Sequence, residues 1–119
     1  MYDHLGLKVQ NLAASIRFYQ AALAPLGHVL GSNDETYAGL GPQGAPALWL
    51  YAHPGGRGQG AHIALRARSP AQVEAFHQAG LKAGGADNGG PGPRPDYSPT
   101  YYAAFLIDPD GNNVEAVCP

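Results

Sequence analysis

The sequence predicts an α+β domain made of two copies of one strand–helix–strand–strand–strand unit, and three observations lead there. First, the chain of 119 residues has the size of a single compact domain. Second, its hydrophobic pattern passes twice from alternation to helical spacing and back. Third, a shift of 58 residues places His4 on His62, Leu7 on Leu65, Ala13 on Ala71, Phe18 on Phe76, Gln20 on Gln78, Ala21 on Ala79 and Leu23 on Leu81. Such a restart marks an internal repeat. The expected organisation is one domain over residues 1–119, with a first module over about 1–53 and a second over about 60–119.

The elements follow in order. Asp3–Val9 alternates, with Leu5, Leu7 and Val9 on one face of a strand. Asn11 is placed to cap a helix whose Leu12, Ile16, Tyr19 and Leu23 recur at helical spacing, and Pro25 and Gly27 end it. Short strands are expected around His28–Gly31, Glu35–Leu40 and Ala47–Ala52, divided by Gly and Pro. In the second copy, Ala61–Ala67 is a strand, and Ser69 caps a helix with Pro70 at its first position and Gln72 set for a capping box. Val73, Phe76, His77 and Leu81 lie along that helix's face. Gly84–Pro99, sixteen residues rich in Gly and Pro, reads as one long loop and a candidate lid. Thr100–Ile107 and Asn113–Val117 are strands joined by the turn Asp108-Pro109-Asp110-Gly111.

Composition narrows the function classes. Hydrophobic residues make up 45% of the chain, enough for a packed core, and charged residues only 13%. Seven basic against nine acidic residues give a net charge of −2, which leaves no cationic excess for nucleic acid. No apolar run reaches the ~18 residues that a membrane span needs. The Met-Tyr-Asp-His start resembles no secretory signal, so a cytoplasmic location is expected. Cys118, the single cysteine, rules out an internal disulfide and a cysteine-rich zinc site.

Neutral histidine and carboxylate are the usual donors to first-row divalent metals, and two histidines with one carboxylate leave positions open for substrate. His4 and His62 are repeat mates in strands, and Glu115 lies in the last strand, pointing opposite to Val114 and Ala116. Buried without a counter-charge, that carboxylate would be costly. Read from pattern alone, a single histidine in a strand is more often a hydrogen-bonded or half-exposed residue than a ligand, and a Glu115 that simply faces water is the plain alternative.

The chain resembles the vicinal oxygen chelate superfamily, which includes glyoxalase I, fosfomycin-resistance enzymes, extradiol dioxygenases and bleomycin-resistance proteins. The resemblance spans the chain and rests on Asp3–Val9, Ser15-Ile16-Arg17-Phe18-Tyr19, Gly60–Leu65 and Phe105–Glu115. Its most specific part is the Asp-Pro-Asp-Gly turn with Glu115 four residues beyond it. It implies paired βαβββ modules in pseudo-twofold arrangement forming a cupped mixed sheet, with a divalent metal (Mn, Fe, Ni, Co or Zn) held in the cup by His4, His62 and Glu115. It also implies a homodimer with shared cups, His4 coming from one chain and His62 with Glu115 from the other.

Departures from the pattern shape the expected chemistry. Where glyoxalase I has a second glutamate ligand, this chain has Trp49, which neither ligates a metal nor moves a proton. Phe105 stands where extradiol dioxygenases carry a tyrosine, and no histidine follows His77. The candidate substrate contacts are Trp49 for stacking, Arg94 as a cation, and Tyr102 as a hydrogen-bond donor. Tyr101 and Tyr102 point to opposite faces of one strand, so at most one of them serves. The expected function is glyoxalase-like, metal-dependent lyase, isomerase or addition chemistry on a small oxygenated substrate. The alternative is a metal-free, bleomycin-resistance-like protein that sequesters a planar ligand.

Overall fold

The computed structural model describes residues 1–57 and 60–119, and both expected units are present. The first contains β1 (Leu5–Val9), α1 (Leu12–Leu23), β2 (Val29–Asn33), β3 (Tyr37–Gly41) and β4 (Leu48–Ala52). The second contains β5 (His62–Arg66), α2 (Pro70–Lys82), β6 (Ala86–Pro93), β7 (Tyr102–Ile107) and β8 (Asn113–Cys118). Each unit folds its strands into a mixed four-stranded sheet, ordered β1-β4-β3-β2 in the first and β5-β8-β7-β6 in the second. The first strand of each sheet pairs parallel with the last, which the intervening helix makes possible. Among the described residues no ladder joins the two sheets, and β1 and β5 each have one unpaired edge.

The caps confirm the repeat in detail. Asn11 accepts from the amide of Ala14, and Ser69 accepts from the amide of Gln72, three residues along in both helices. Gln72 reaches one residue further back than a capping box requires, accepting from Arg68 at 2.7 Å. At the other end of α2, Gly84 takes φ +100° and the amide of Gly85 bonds the carbonyl of Gly80 at 2.9 Å, which is a Schellman ending.

The two units meet through their helices and share one core. Phe18, Tyr19, Ala22 and Leu23 of α1 are fully buried, as are Val73 and Phe76 of α2, together with Leu40, Leu50, Leu106 and Val114 from the sheets. Gly80 allows the close approach: a Cβ there would collide with Leu106 and come within 3.4 Å of Phe18 and Ala22. This moves the buried stripe of α2 from the expected line, and Leu81 is 41% exposed.

Gly84–Pro99 is not one long loop, and the lid expectation falls with it. Ala86–Pro93 forms β6, paired antiparallel with β7 and irregular between Asp87 and Gly89 and between Gly89 and Gly92. Prolines are tolerated there because β6 is the sheet's edge and pairs on one side only.

The Asp-Pro turn ties one unit to the other. Asp108, 4% exposed, accepts from the Tyr19 hydroxyl at 2.5 Å, from the Asn112 amide and side chain at 2.9 Å each, and from the Asp110 amide at 2.8 Å. Burial and the adjacent carboxylate push Tyr19 far above the ordinary tyrosine range, so it stays a donor. Asp110 accepts from Gln10 and Ser15 of the first unit, and Asn112 accepts from the amide of Ala61, just before β5. Among the described residues no helix is long and apolar enough to cross a membrane.

Candidate functional site

The helix-free face of the second sheet brings two of the expected donors together. Parallel pairing sets Ala64 beside Glu115 and Asn113 beside His62, which puts the imidazole diagonally across from the carboxylate. His62 Nε2 lies 3.1 Å from Glu115 Oε2; His62 is 50% exposed and Glu115 only 3%. The second carboxylate oxygen, Oε1, accepts from the Tyr101 hydroxyl at 2.5 Å. The Tyr101 hydroxyl and the neighbouring imidazole thus flank a carboxylate that would be expensive to bury alone.

Aromatic and cationic groups surround this pair. The hydrogen bond to Glu115, with burial second, pushes Tyr101 up to about 12, so its hydroxyl remains protonated at neutral pH. Tyr97 packs edge-on against Tyr101 at 5.1 Å. Phe105, which pairs with Glu115 across the ladder, stacks with the His62 ring at 6.5 Å. The Arg94 guanidinium lies 5.4 Å from the Phe105 centroid, and two of its N–H groups are held by the carbonyls of Gly90 and Pro93. Arg94 thus lies beside the site with donors to spare.

Tyr102 is a correction. Its hydroxyl donates to Glu74 of α2 at 2.8 Å, and its ring packs with the core, on the face opposite Glu115. The residue at the site is Tyr101. Counting back from Phe105 in twos gives Ala103 and Tyr101, and that parity was the available signal.

His4 stands apart from the pair. It precedes β1, its Nδ1 is 2.7 Å from Asp3, and both side chains are exposed. Among the described residues no three His, Cys, Asp or Glu side chains gather into a metal-binding group. A cavity of about 500 Å³ between the units touches His4, Leu48, Ile63 and Arg66 but neither His62 nor Glu115. His28 also lines it; burial lowers His28 below its ordinary value, and its buried Nδ1 has no partner among the described residues.

Trp49 occupies a telling position. Gly6 pairs with Trp49 as Ala64 pairs with Glu115, and Gly6 and Ala64 are 58 residues apart. Trp49 is therefore the first unit's counterpart of Glu115, as His4 is of His62. Its neighbours across the sheet are Gly6 and Gly39, and the indole folds over Gly39, where a Cβ would sit 2.7–2.9 Å from three ring atoms. Tyr37 lies 6.0 Å away and tilted, and the Tyr51 ring covers Gly6. Where the second unit has a donor pair, the first has an aromatic surface.

The chemistry of the donor pair suits a divalent cation. Two ligands bound at ~2.1 Å to one ion stand about 3.0–3.4 Å apart, and Nε2 of His62 and Oε2 of Glu115 are at 3.1 Å. His4 Nδ1 faces the Asp3 carboxylate at 2.7 Å, and in the neutral tautomer that donates through Nδ1 the other ring nitrogen, Nε2, carries the lone pair.

Two βαβββ units, each with its own mixed four-stranded sheet, define the fold class. The chain belongs to the Glyoxalase/Bleomycin resistance protein/Dioxygenase superfamily, whose family model matches residues 2–116. It is similar to a glyoxalase/bleomycin resistance protein from Albidiferax ferrireducens T118, with 32% identity over 98% of each chain and a TM-score of 0.85. Two further solved structures share the fold. One is a glyoxalase-related enzyme from Fulvimarina pelagi, 18% identical over 95% of this chain and 84% of that one, with a TM-score of 0.73. The other is a glyoxalase/bleomycin resistance protein/dioxygenase family enzyme from Burkholderia phytofirmans PsJN, 15% identical over 97% and 95%, with a TM-score of 0.72. Among curated proteins no match is found.

Proposed function

We propose that this chain is a metal-dependent, glyoxalase-like enzyme that acts on a small oxygenated molecule by lyase, isomerase or addition chemistry. His62 and Glu115 of one copy and His4 of a second copy hold the divalent ion. The observation that carries this reading is the exposed His62 Nε2 beside the buried Glu115 Oε2 at 3.1 Å. The open edges of β1 and β5, and an exposed His4 whose Nδ1 is turned to Asp3, support the shared arrangement. When bound, the ion supplies Lewis acidity to vicinal oxygens of the substrate. The chain's own groups orient it: Arg94 offers N–H donors to an anionic or carbonyl oxygen, and Trp49 offers a flat surface for a planar part.

Elemental analysis of protein purified without chelator tests this. Near-stoichiometric metal is expected in the parent and a loss of nearly all of it in His62→Ala, Glu115→Ala and His4→Ala. Mixing His4→Ala with Glu115→Ala subunits restores roughly one site in four if subunits pair at random in a symmetric dimer. A parent that takes up no metal after addition of Mn, Ni or Zn sinks the enzyme reading; no restoration on mixing sinks the sharing.

The indole over Gly39 favours a second reading, a metal-free protein that sequesters a planar ligand. On that reading an aromatic ligand quenches Trp49 fluorescence in metal-free protein. Gly39→Ala, which forces the ring off the sheet, abolishes the quenching.

A further inference from the structure

We propose that Tyr101 is a positioning residue that makes Glu115 a one-oxygen ligand. The inference rests on the metal reading above and adds a role for a side chain that touches neither ion nor substrate. Glu115 has two oxygens with separate partners: Oε1 is taken by the Tyr101 hydroxyl at 2.5 Å, and Oε2 faces His62 Nε2 at 3.1 Å. A carboxylate free to rotate can offer both oxygens to a cation. Here the short bond to Tyr101 occupies one of them, on a carboxylate that is almost fully buried.

The phenol is itself held. Tyr97 packs against its ring at 5.1 Å, and the backbone amide of Tyr101 bonds the Ser98 carbonyl while its carbonyl accepts from Arg94. Phe105, on the same sheet face, stacks with the His62 ring. The aromatic groups thus fix the direction of both donors, and a Glu115 that spends one oxygen leaves an additional coordination position for substrate oxygens. Partners of ligands that set their orientation commonly matter for metal affinity as much as tenfold to a hundredfold.

Tyr101→Phe removes one hydroxyl and keeps the ring packing. Titrating metal-free parent and variant with Co²⁺, and recording the visible absorption of the bound ion, tests the role without an activity assay. The expected result is cobalt binding weakened by roughly 10–100-fold, with a less intense visible band as both Glu115 oxygens enter the coordination sphere. Thermal melts and far-UV spectra accompany the titration, and Tyr97→Phe, which keeps the same packing, is expected to match the parent. Equal affinity and an unchanged cobalt spectrum in a folded Tyr101→Phe protein overturn the positioning role alone. Failure of the parent to bind cobalt overturns the metal reading and this role together.

Discussion

Asp108→Ala is expected to cost about 4 kcal/mol, a large share of the ~5–15 kcal/mol that keeps a domain folded. The substitution removes an acceptor with four donors aimed at it, three of them from the fully buried Tyr19 and Asn112. Deleting one side of a buried network is worse than never having built it, because each stranded donor keeps its desolvation penalty. Tyr19→Phe, which leaves Asp108 with its remaining donors, is expected to cost only about 1–2 kcal/mol. Urea unfolding of both variants measures the contrast. A loss below about 1 kcal/mol in Asp108→Ala would show that the turn is incidental to the joining of the two units.

Gly85→Ala is the second large effect, expected at about 3 kcal/mol, the upper end of overpacking costs. A Cβ at Gly85 would stand 2.9 Å from the Gly80 carbonyl oxygen and would run into the Phe18 ring. Neither yields easily. The carbonyl accepts the bond that closes α2, and Phe18 lies fully buried between the two helices. By contrast, Gly111→Ala is strained by a φ of +88° but meets nothing within 4 Å, so its cost comes from the backbone alone. Thermal melts that rank Gly85→Ala with Gly111→Ala would refute the packing argument.

The parts of the fold that a sequence can show are those with local causes. Asn11 and Ser69 announce the helices because a cap is chosen by amides a few residues away. β6 was hidden because its Gly-Gly-Pro-Gly-Pro stretch has no strand propensity, and only its place at the sheet edge makes the strand tolerable. At the site, His62 and Glu115 were visible as chemical types, but their meeting depends on the β5–β8 register, which no local pattern encodes. Tyr101 and Tyr102 could be told apart only once the strand's core-facing parity was fixed by Ala104 and Leu106. Trp49 as the counterpart of Glu115 was legible only through the family resemblance and not through the 58-residue repeat, since the two units differ in the number of residues between their first and last strands.

The Asp108 turn has a consequence for synthesis. Residues 1–52 include every strand and the helix of the first unit, yet the inward groups of that helix, Ser15, Tyr19, Phe18 and Ala22, find their partners in α2 and in residues 108–110. A chain emerging from the ribosome therefore exposes an unfinished first half until nearly all of the second has followed. The nascent protein must hold this helix face incompletely satisfied until that turn has been made, a window in which a chaperone would find it.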